Sequence, residues 1–147
     1  MIPPGTPLHQ LLTITGGAPE LPRLMEAVEE FCASIAVSEE DAHSLHLAIE
    51  EIVSNVLHHG YCGVPHPVNV SLEAIPPNRV RAVVSDHAHA FNPLSRPEVD
   101  TTLPLDERPI GGLGVHLVKQ LMEFTHYERR DGQNILTMEL VLDRCVS

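Results

Sequence analysis

The stretch VNVSLEAIPPNRVRAVVSD, residues 68–86, decides the fold class because it contains two strands and the turn that joins them. Apolar side chains occupy every second position in residues 68–74 and again in residues 80–84. A period of two residues is typical of a strand with one buried face. Residues 76–78, Pro-Pro-Asn, are of types that favour a turn between the two predicted strands. The stretch therefore predicts an antiparallel hairpin that ends at Asp86.

A second hairpin is predicted further along the chain. The segments FTHYERR (124–130) and QNILTMELVLD (133–143) flank Asp131-Gly132, a dipeptide that favours a two-residue turn between antiparallel strands. The apolar run LLTIT, residues 11–15, predicts one more short strand near the N-terminus.

Three helices are predicted around these strands. Residues 20–36 carry apolar side chains at helical spacing. Ser38 is followed by three acidic residues, which is typical of a helix N-cap and first turn, and the helix that begins there should run to about His59 and end at Gly60. A short amphipathic helix is predicted over residues 115–122.

The order of elements is strand, helix, helix, hairpin, loop, helix, hairpin, which indicates an α+β fold. Because hairpins join most of the strands, the economical architecture is one largely antiparallel sheet with helices stacked on one face. The length suits a single domain over residues 1–147. Residues 93–109 are rich in proline and charge without a period, and they predict a long loop.

Composition excludes several classes of function. The net charge of −11 argues against a basic patch for direct nucleic acid or membrane binding. No signal-peptide pattern and no apolar run of spanning length is found, so we expect a cytoplasmic protein. The three cysteines, Cys32, Cys62 and Cys145, are widely separated, and they support neither a disulfide framework nor a cysteine zinc site.

The second predicted helix contains a pair of oxygen-bearing side chains on one face. Glu51 and Asn55 are four residues apart, so they lie one turn above each other. A carboxylate and an amide oxygen stacked in this way could orient a hydroxyl group and bind a hard cation such as Mg²⁺. The same spacing is also found on an ordinary solvated helix face.

A glycine-rich turn, IGGLG at residues 110–114, directly precedes the third predicted helix. Exposed backbone N–H groups and the positive end of the helix dipole suit such a junction to phosphate. The spacing matches neither a Walker P-loop nor a Rossmann fingerprint. A purely structural turn is the competing interpretation.

The stretch SDHAHAFNP, residues 85–93, places two histidines next to Asp86 at the end of a predicted strand. His87 and His89 alternate and would share a side, but no third nitrogen ligand stands at a suitable spacing. Surface histidines are the competing interpretation, and we favour it.

Three motifs occur in order along the chain: Glu51-x-x-x-Asn55, then Asp86 followed by Phe91-Asn92-Pro93, then Gly111-Gly112-Leu113-Gly114. Together they resemble the GHKL ATPase superfamily, which includes gyrase, histidine kinases and MutL. The small size, the HHGY at residues 58–61 and the GGLGVHLVKQLM at residues 111–122 look most like the anti-sigma-factor serine/threonine kinases of the RsbW and SpoIIAB type. The resemblance implies a two-layer sandwich in which about three helices cover one face of a mostly antiparallel, mixed sheet.

The resemblance also implies an ATP pocket between helices and sheet, covered by a lid at residues 94–110. Glu51 would be the catalytic base, Asn55 would hold Mg²⁺, and Asp86 would accept a hydrogen bond from the adenine amino group. The other residues implied in nucleotide binding are Ala88, Phe91, Gly111, Gly112, Leu113, Gly114 and Val115. From its position in the lid, Arg96 or Arg108 could reach the phosphates.

One departure from the family pattern affects the adenine loop. The family usually has glycine or proline where this sequence has Ala88 and Ala90. A positive φ at Ala88 would cost on the order of 1–2 kcal/mol, whereas a negative φ would remove that cost.

Two functions follow from the resemblance. The leading hypothesis is an ATP- and Mg²⁺-dependent serine kinase that phosphorylates an anti-anti-sigma partner, captures a sigma factor and forms a homodimer through its N-terminal region. The alternative is a partner-binding module of the same fold with weakened or lost nucleotide binding. The ATPase part of a two-component histidine kinase is a third possibility. We favour it less, because no recognisable phosphoacceptor helix pair precedes the first helix of this sequence.

Overall fold

The computed structural model describes residues 9–95 and 112–142, which form five strands and three helices in two layers. In chain order the elements are β1 (His9–Ile14), α1 (Leu21–Ser34), α2 (Glu39–Asn55), β2 (Val68–Ile75), β3 (Arg79–Asp86), α3 (Gly112–Leu121), β4 (Phe124–Arg130) and β5 (Gln133–Val141). Short 3-10 turns lie at Ala18–Glu20 and Pro93–Ser95, and a π-helical turn, Val56–Gly60, follows α2 directly. The predicted α+β class is confirmed.

The five strands form one sheet in the order β1-β2-β3-β5-β4. Every pairing among the described strands is antiparallel, so the sheet contains no parallel pair and is not mixed. Both predicted hairpins are present. Asp131 and Gly132 have φ values of 52° and 76°, which is the positive pair that a two-residue type I′ turn requires.

The helices cover one face of this sheet, and the alternation of the strands decides which side chains they bury. Val68, Val70, Leu72 and Ala74 of β2 point to the helices and are at most 2% exposed. They meet the apolar stripes of the helices, whose buried members include Leu24, Val28, Phe31, Leu45, Ile49 and Ile52. Each of the buried Val, Leu, Ile and Phe side chains contributes about 1.5–3 kcal/mol through burial, so this face stabilises the fold.

Local signals in the sequence explain where α2 begins. The Oγ atom of Ser38 accepts a hydrogen bond from the backbone N–H of Asp41 at 3.2 Å, which satisfies one of the free donors of the first turn. No helix in residues 9–95 and 112–142 is long and apolar enough to cross a membrane.

The strand register brings three polar residues into one row at one end of the sheet. Asp86 at the end of β3 lies opposite Asn134 of β5, and Asn134 in turn lies opposite Arg129 of β4. Asp86 and Asn134 are in phase with the apolar residues of their strands, so both side chains point toward the helices and are buried. The candidate site lies at this end of the sheet.

Candidate functional site

The end of α2 supplies a linked carboxylate and amide. The Asn55 Nδ2 atom donates to the Glu51 backbone oxygen at 3.0 Å and to Glu51 Oε1 at 3.2 Å, as the spacing of four residues allows. Asn55 is 4% exposed, whereas Glu51 is half-buried. Because Nδ2 is committed to Glu51, the Oδ1 atom of Asn55 remains as an acceptor for a ligand.

The last turn of α2 differs from the prediction. The sequence predicts a helix to about His59, but α2 ends at Asn55 and residues 56–60 form a wider π-helical turn. The Tyr61 N–H donates to the Val56 backbone oxygen at 2.8 Å and closes this turn. Single π turns are frequent at functional sites, and this one places Gly60 against the loop that follows β3.

Asp86 is the buried carboxylate of the site. It is 3% exposed, and its Oδ1 atom accepts two hydrogen bonds, from the backbone N–H of Ala88 and from Asn134 Nδ2, both at 2.9 Å. The first bond closes a short turn of the kind that aspartate favours at loop starts. Within residues 9–95 and 112–142, no partner occupies Asp86 Oδ2, which leaves one carboxylate oxygen for a ligand.

The two alanines that depart from the family pattern are accommodated without backbone strain. Neither Ala88 nor Ala90 has a positive φ, so the energetic cost of a left-handed alanine does not arise. The methyl group of Ala88 is buried beside Gly60, where a side chain on residue 60 would crowd it. The loop is therefore compatible with alanine at these positions.

Asp86 and Asn55 line one small cavity between α2 and the sheet. Its remaining walls are Ile52, Val56, Gly60, Val84, Phe91, Pro93, Tyr127, Asn134 and Leu136. The cavity volume is about 10 Å³, which is the room that one water molecule needs. A purine base therefore requires a wall to move, and the loop residues Phe91 and Pro93 form the wall that lies outside the sheet and α2.

The donor and acceptor groups of this cavity fit an adenine nucleotide in kind. A carboxylate oxygen can accept from an amino group, and apolar side chains such as Ile52 and Val84 can flank a base. The Asn55 amide oxygen is a ligand type that Mg²⁺ accepts. The residue types therefore match an adenine nucleotide, but the cavity is large enough for the base only after Phe91 has moved outward.

The predicted phosphate-binding residues lie partly outside the described residues. Gly112, Leu113, Gly114 and Val115 form the first turn of α3, the helix that packs against α2. Gly111 and residues 96–110, which include Arg96, Arg108 and most of the predicted lid, lie outside the described residues. Among the described residues, the Lys119 Nζ atom of α3 donates to the Leu94 backbone oxygen at 2.6 Å, and this bond connects α3 to the turn at Pro93–Ser95.

The two histidines that follow Asp86 lie at the surface of the described part of the chain. His87 and His89 are exposed, and no group of three or more His, Cys, Asp or Glu side chains in the described part of the chain could hold a metal ion. His89 and His59 each lie with their ring centroids 6.4 Å from that of Phe91. The exposure of His87 and His89 agrees with the surface interpretation of these two residues.

Tyr61 links the end of α2 to the start of the loop. Its hydroxyl group donates to the Pro67 backbone oxygen at 2.8 Å and accepts from the His87 N–H at 2.7 Å. Burial raises the pKa of Tyr61, the His87 hydrogen bond lowers it, and the nearby Asp86 charge raises it, with a net upward shift. The hydroxyl therefore stays protonated well into the alkaline range and remains a donor.

Three residues of the site were missed by the sequence prediction. Asn134, Tyr127 and Arg129 come together on β4 and β5, and Asn134 contacts all the other members of the cluster. A signal for Asn134 is present in the sequence, since it is the polar member of an alternating series with Leu136 and Met138. A polar residue in the phase of the buried face is unusual and indicates a specific partner.

The two-layer α+β sandwich, with a carboxylate at the end of a central strand and an Asn on the covering helix, has the arrangement that the resemblance to the GHKL ATPases implies. Residues 18–140 match the family described as "Histidine kinase-like ATPase domain". The chain belongs to this family, and the resemblance to the GHKL ATPases is confirmed.

Among characterised relatives, the chain is 29% identical over 96 residues to the serine/threonine-protein kinase BtrW of Bordetella bronchiseptica, covering 65% of this chain and 67% of BtrW. The RsbU and RsbW domains of a Mycobacterium tuberculosis protein superpose with a TM-score of 0.64 at 20% identity, over 92% of this chain. A chain of the SiaB–SiaC complex of Pseudomonas aeruginosa gives 0.59 at 11% identity, over 90% of this chain and 89% of that one.

The blue-light activated histidine kinase of Erythrobacter litoralis is a further structural neighbour, with a TM-score of 0.57 at 16% identity over 90% of this chain. This chain spans 33% of the M. tuberculosis protein and 43% of the E. litoralis kinase. At these identities the solved structures establish the fold alone.

Proposed function

We propose that this chain is a cytoplasmic, ATP- and Mg²⁺-dependent serine/threonine protein kinase that phosphorylates an anti-anti-sigma partner and thereby controls the availability of a sigma factor. The observation that carries the proposal is that Asn55 of α2 and Asp86 of β3 line the same cavity, with Glu51 hydrogen-bonded to Asn55. Membership of the ATPase family and the similarity to the kinase BtrW support the same conclusion.

At the adenine end, the free Oδ2 atom of Asp86 accepts a hydrogen bond from the amino group of the base. The apolar walls, among them Ile52 and Val84, exclude water from the faces of the ring. Ala88 and Phe91 border the base from the loop. Phe91 moves outward to admit it, because the cavity of about 10 Å³ cannot hold a ring.

At the phosphate end, the first turn of α3 presents backbone N–H groups. Residues 111–115 serve this role because the glycines allow close approach and the helix dipole favours negative charge. The segment 94–110 acts as the lid. Asn55 Oδ1 would hold a magnesium ion, which would supply neutralisation of charge on the phosphate oxygens.

Glu51 acts as the base in the transfer. Its half-buried carboxylate accepts the proton of the partner's serine hydroxyl while the serine oxygen forms a bond to the γ-phosphorus atom. The bond from that phosphorus to the β,γ-bridging oxygen breaks, and ADP leaves. The hydrogen bond from Asn55 Nδ2 fixes the carboxylate for this task at 3.2 Å.

A second candidate function is a non-catalytic module of the same fold that captures a partner protein without nucleotide chemistry. The specific observation in its favour is the small size of the cavity beside Asp86. A loop held shut by its own hydrogen bonds would keep the partner-binding fold and lose the ligand.

Phosphoryl transfer to a partner tests the leading proposal. The protein is incubated with labelled ATP, Mg²⁺ and candidate anti-anti-sigma domains, and we expect label on the partner. The Glu51→Ala variant should lose the transfer. Glu50→Ala is the matched control, since Glu50 is the neighbouring acid on α2 and is paired with His46 instead. Transfer that survives without Glu51 overturns the assigned base.

Titration with ATP and Mg²⁺ separates the two candidate functions. Saturable binding in the micromolar range that Asp86→Asn weakens supports a nucleotide-dependent protein. Absence of saturable binding to a folded wild-type chain supports the non-catalytic module.

We also propose that the protein forms a homodimer through its N-terminal region. β1 is an edge strand, whose unpaired backbone groups can pair with a second chain, and Leu11 on it is 62% exposed. Sedimentation should show a dimer that Leu11→Lys converts to a monomer. A wild-type monomer at high concentration contradicts this proposal.

A further inference from the structure

The amide group of Asn134 is the most connected side chain of the site. Its Nδ2 atom donates to Asp86 Oδ1 and to the His89 backbone oxygen, both at 2.9 Å, with a longer contact of 3.5 Å to the Ala88 oxygen. The donor side of this amide therefore holds both the carboxylate and the backbone of the loop that follows it.

The oxygen atom of the same amide accepts three hydrogen bonds. Asn134 Oδ1 accepts from the Tyr127 hydroxyl at 2.6 Å, from the Phe91 N–H at 3.2 Å and from Arg129 Nη1 at 3.2 Å. Arg129 Nη1 also donates to the Ala88 oxygen at 2.7 Å, which adds a charged hydrogen bond to the loop backbone.

These bonds reach Asp86 at the end of β3 and residues 88, 89 and 91 of the loop, so one side chain on β5 holds the loop at three places. Asn134 is 5% exposed, and buried hydrogen bonds of this kind are costly to leave unmade. The amide of Asn134 therefore fixes the backbone of the loop at residues 88 and 89.

The same arrangement fixes the orientation of the Asp86 carboxylate. Oδ1 is held by Asn134 and by the Ala88 N–H, so Oδ2 is the oxygen left for a ligand. An acceptor fixed at this place suits the amino group of adenine. It repels the carbonyl oxygen that guanine carries at the corresponding position.

We infer that Asn134 is a positioning residue that holds the Asp86 carboxylate and the backbone of residues 88 and 89 in place while the Phe91 side chain moves outward to admit an adenine base, and that it thereby sets the selectivity for ATP over GTP. Tyr127 and Arg129 support it from β4. The inference rests on the nucleotide binding proposed above and adds the residue that makes the loop competent.

The experiment measures ATP and GTP affinity by calorimetry in Mg²⁺ for the wild-type chain and for Asn134→Ala. We expect the variant to lose about tenfold in ATP affinity, the equivalent of one net hydrogen bond, and to lose less in GTP affinity, so that the ratio of the two narrows. Hydrogen exchange at the Ala88 and Phe91 amides of the nucleotide-free protein should also become faster.

Two further variants separate positioning from general loss of stability. Leu140→Val removes a buried methylene group from the same face of β5 outside the cavity, and it should leave the ATP/GTP ratio unchanged. Tyr127→Phe removes one bond to Asn134 and should narrow the ratio to a smaller extent, which serves as the test if Asn134→Ala fails to fold.

The outcomes distinguish this inference from the proposed function. The inference is overturned, and the proposed function is left intact, if the wild-type chain binds ATP but Asn134→Ala has an unchanged ratio of ATP to GTP affinity. If Asn134→Ala does not fold, an unchanged ratio in Tyr127→Phe has the same meaning. No saturable ATP binding by the folded wild-type chain overturns both. A narrowed ratio with faster exchange in the loop supports both.

Discussion

Gly60 leaves the room that the methyl group of Ala88 occupies. A Cβ atom built on residue 60 would lie 3.1 Å from the Ala88 Cβ, which is shorter than the ~3.5–4.0 Å of an ordinary carbon contact. Gly60 does not have a positive φ, so its backbone alone does not require glycine. The small residue is explained by this contact between the π turn after α2 and the loop after β3.

The first prediction follows from that contact. Gly60→Ala should destabilise the protein by about 1 kcal/mol, because overpacking outweighs the ~0.4–1 kcal/mol that an alanine gains through the unfolded chain. Urea unfolding measures the difference. The double variant Gly60→Ala with Ala88→Gly should recover most of the loss, and a double variant no more stable than Gly60→Ala would argue against direct packing of the two residues.

The second prediction concerns the hydroxyl group of Tyr61, which bridges Pro67 and His87. Tyr61→Phe removes both hydrogen bonds and leaves two backbone groups without this partner, so the free energy of unfolding should fall by about 1–2 kcal/mol. The His87 amide should exchange faster with solvent. Unchanged exchange at His87 would contradict the role given to the hydroxyl.

The free energy of unfolding of the wild-type protein and that of Tyr61→Phe should respond differently to alkaline pH. Burial raises the pKa of Tyr61, so the folded state holds its proton more tightly than the unfolded state does. The contribution to stability is complete below the unfolded pKa of about 10 and is lost as the pH rises through the folded pKa. The wild-type protein should therefore lose this part of its stability above pH ~10, and Tyr61→Phe should not.

The third prediction is that Cys32 is chemically inert in the folded protein. Burial raises its pKa to about 11, and the charges of Glu29 and Asp41 act in the same direction. At pH ~8 roughly one thiol in a thousand would be ionised, and the buried sulfur is also shielded from reagents.

Single-thiol variants test this directly. A chain that keeps Cys32 alone should react slowly with a thiol reagent in native buffer and rapidly in denaturant, whereas a chain that keeps the exposed Cys62 alone should react rapidly in both. Equal native rates for the two thiols would show that Cys32 is accessible.

The hairpins and helices could be predicted from the sequence because their signals are local. The alternation in residues 68–74 and the Asp131-Gly132 turn each depend on neighbours within a few positions. The end of α2 could not be placed in this way. The hydrogen bond from Tyr61 N–H to Val56 widens the last turn, and helical periodicity alone does not distinguish that turn from an α-helical one.

The Asn134 cluster lies beyond local prediction for a different reason. Asp86 and Asn134 are 48 positions apart, and only the register of β3 against β5 makes them direct neighbours. The motifs at Glu51, Asn55 and Asp86 could be named from spacing and resemblance. The cavity could not, since its volume depends on how Phe91 and Pro93 lie against residues from α2, the π-helical turn and the strands β3, β4 and β5.

The last prediction concerns the uncovered face of the sheet, where Glu139 binds two arginines. Its carboxylate accepts from Arg79 Nη1 at 2.7 Å and from Arg81 Nε at 3.0 Å, and the hydrogen bond from Arg79 is the main reason why the pKa of Glu139 is lowered. Since both arginines are more than 40% exposed, the stabilisation should be modest, about 1 kcal/mol at neutral pH.

A lowered pKa means that this stabilisation is present above the unfolded value of about 4.3 and is lost as the pH falls through the folded value. Glu139→Gln should therefore be less stable than the wild-type protein at pH ~7, and the difference should close under acid conditions. Glu73→Gln is the control, because among the described residues Glu73 forms one ion pair, with Arg81 at 3.2 Å, and is more exposed than Glu139, so its effect should be smaller. A difference between wild type and Glu139→Gln that stays constant from neutral to acid pH would show that the glutamine acts through packing, because loss of the charged pair must depend on protonation of the carboxylate.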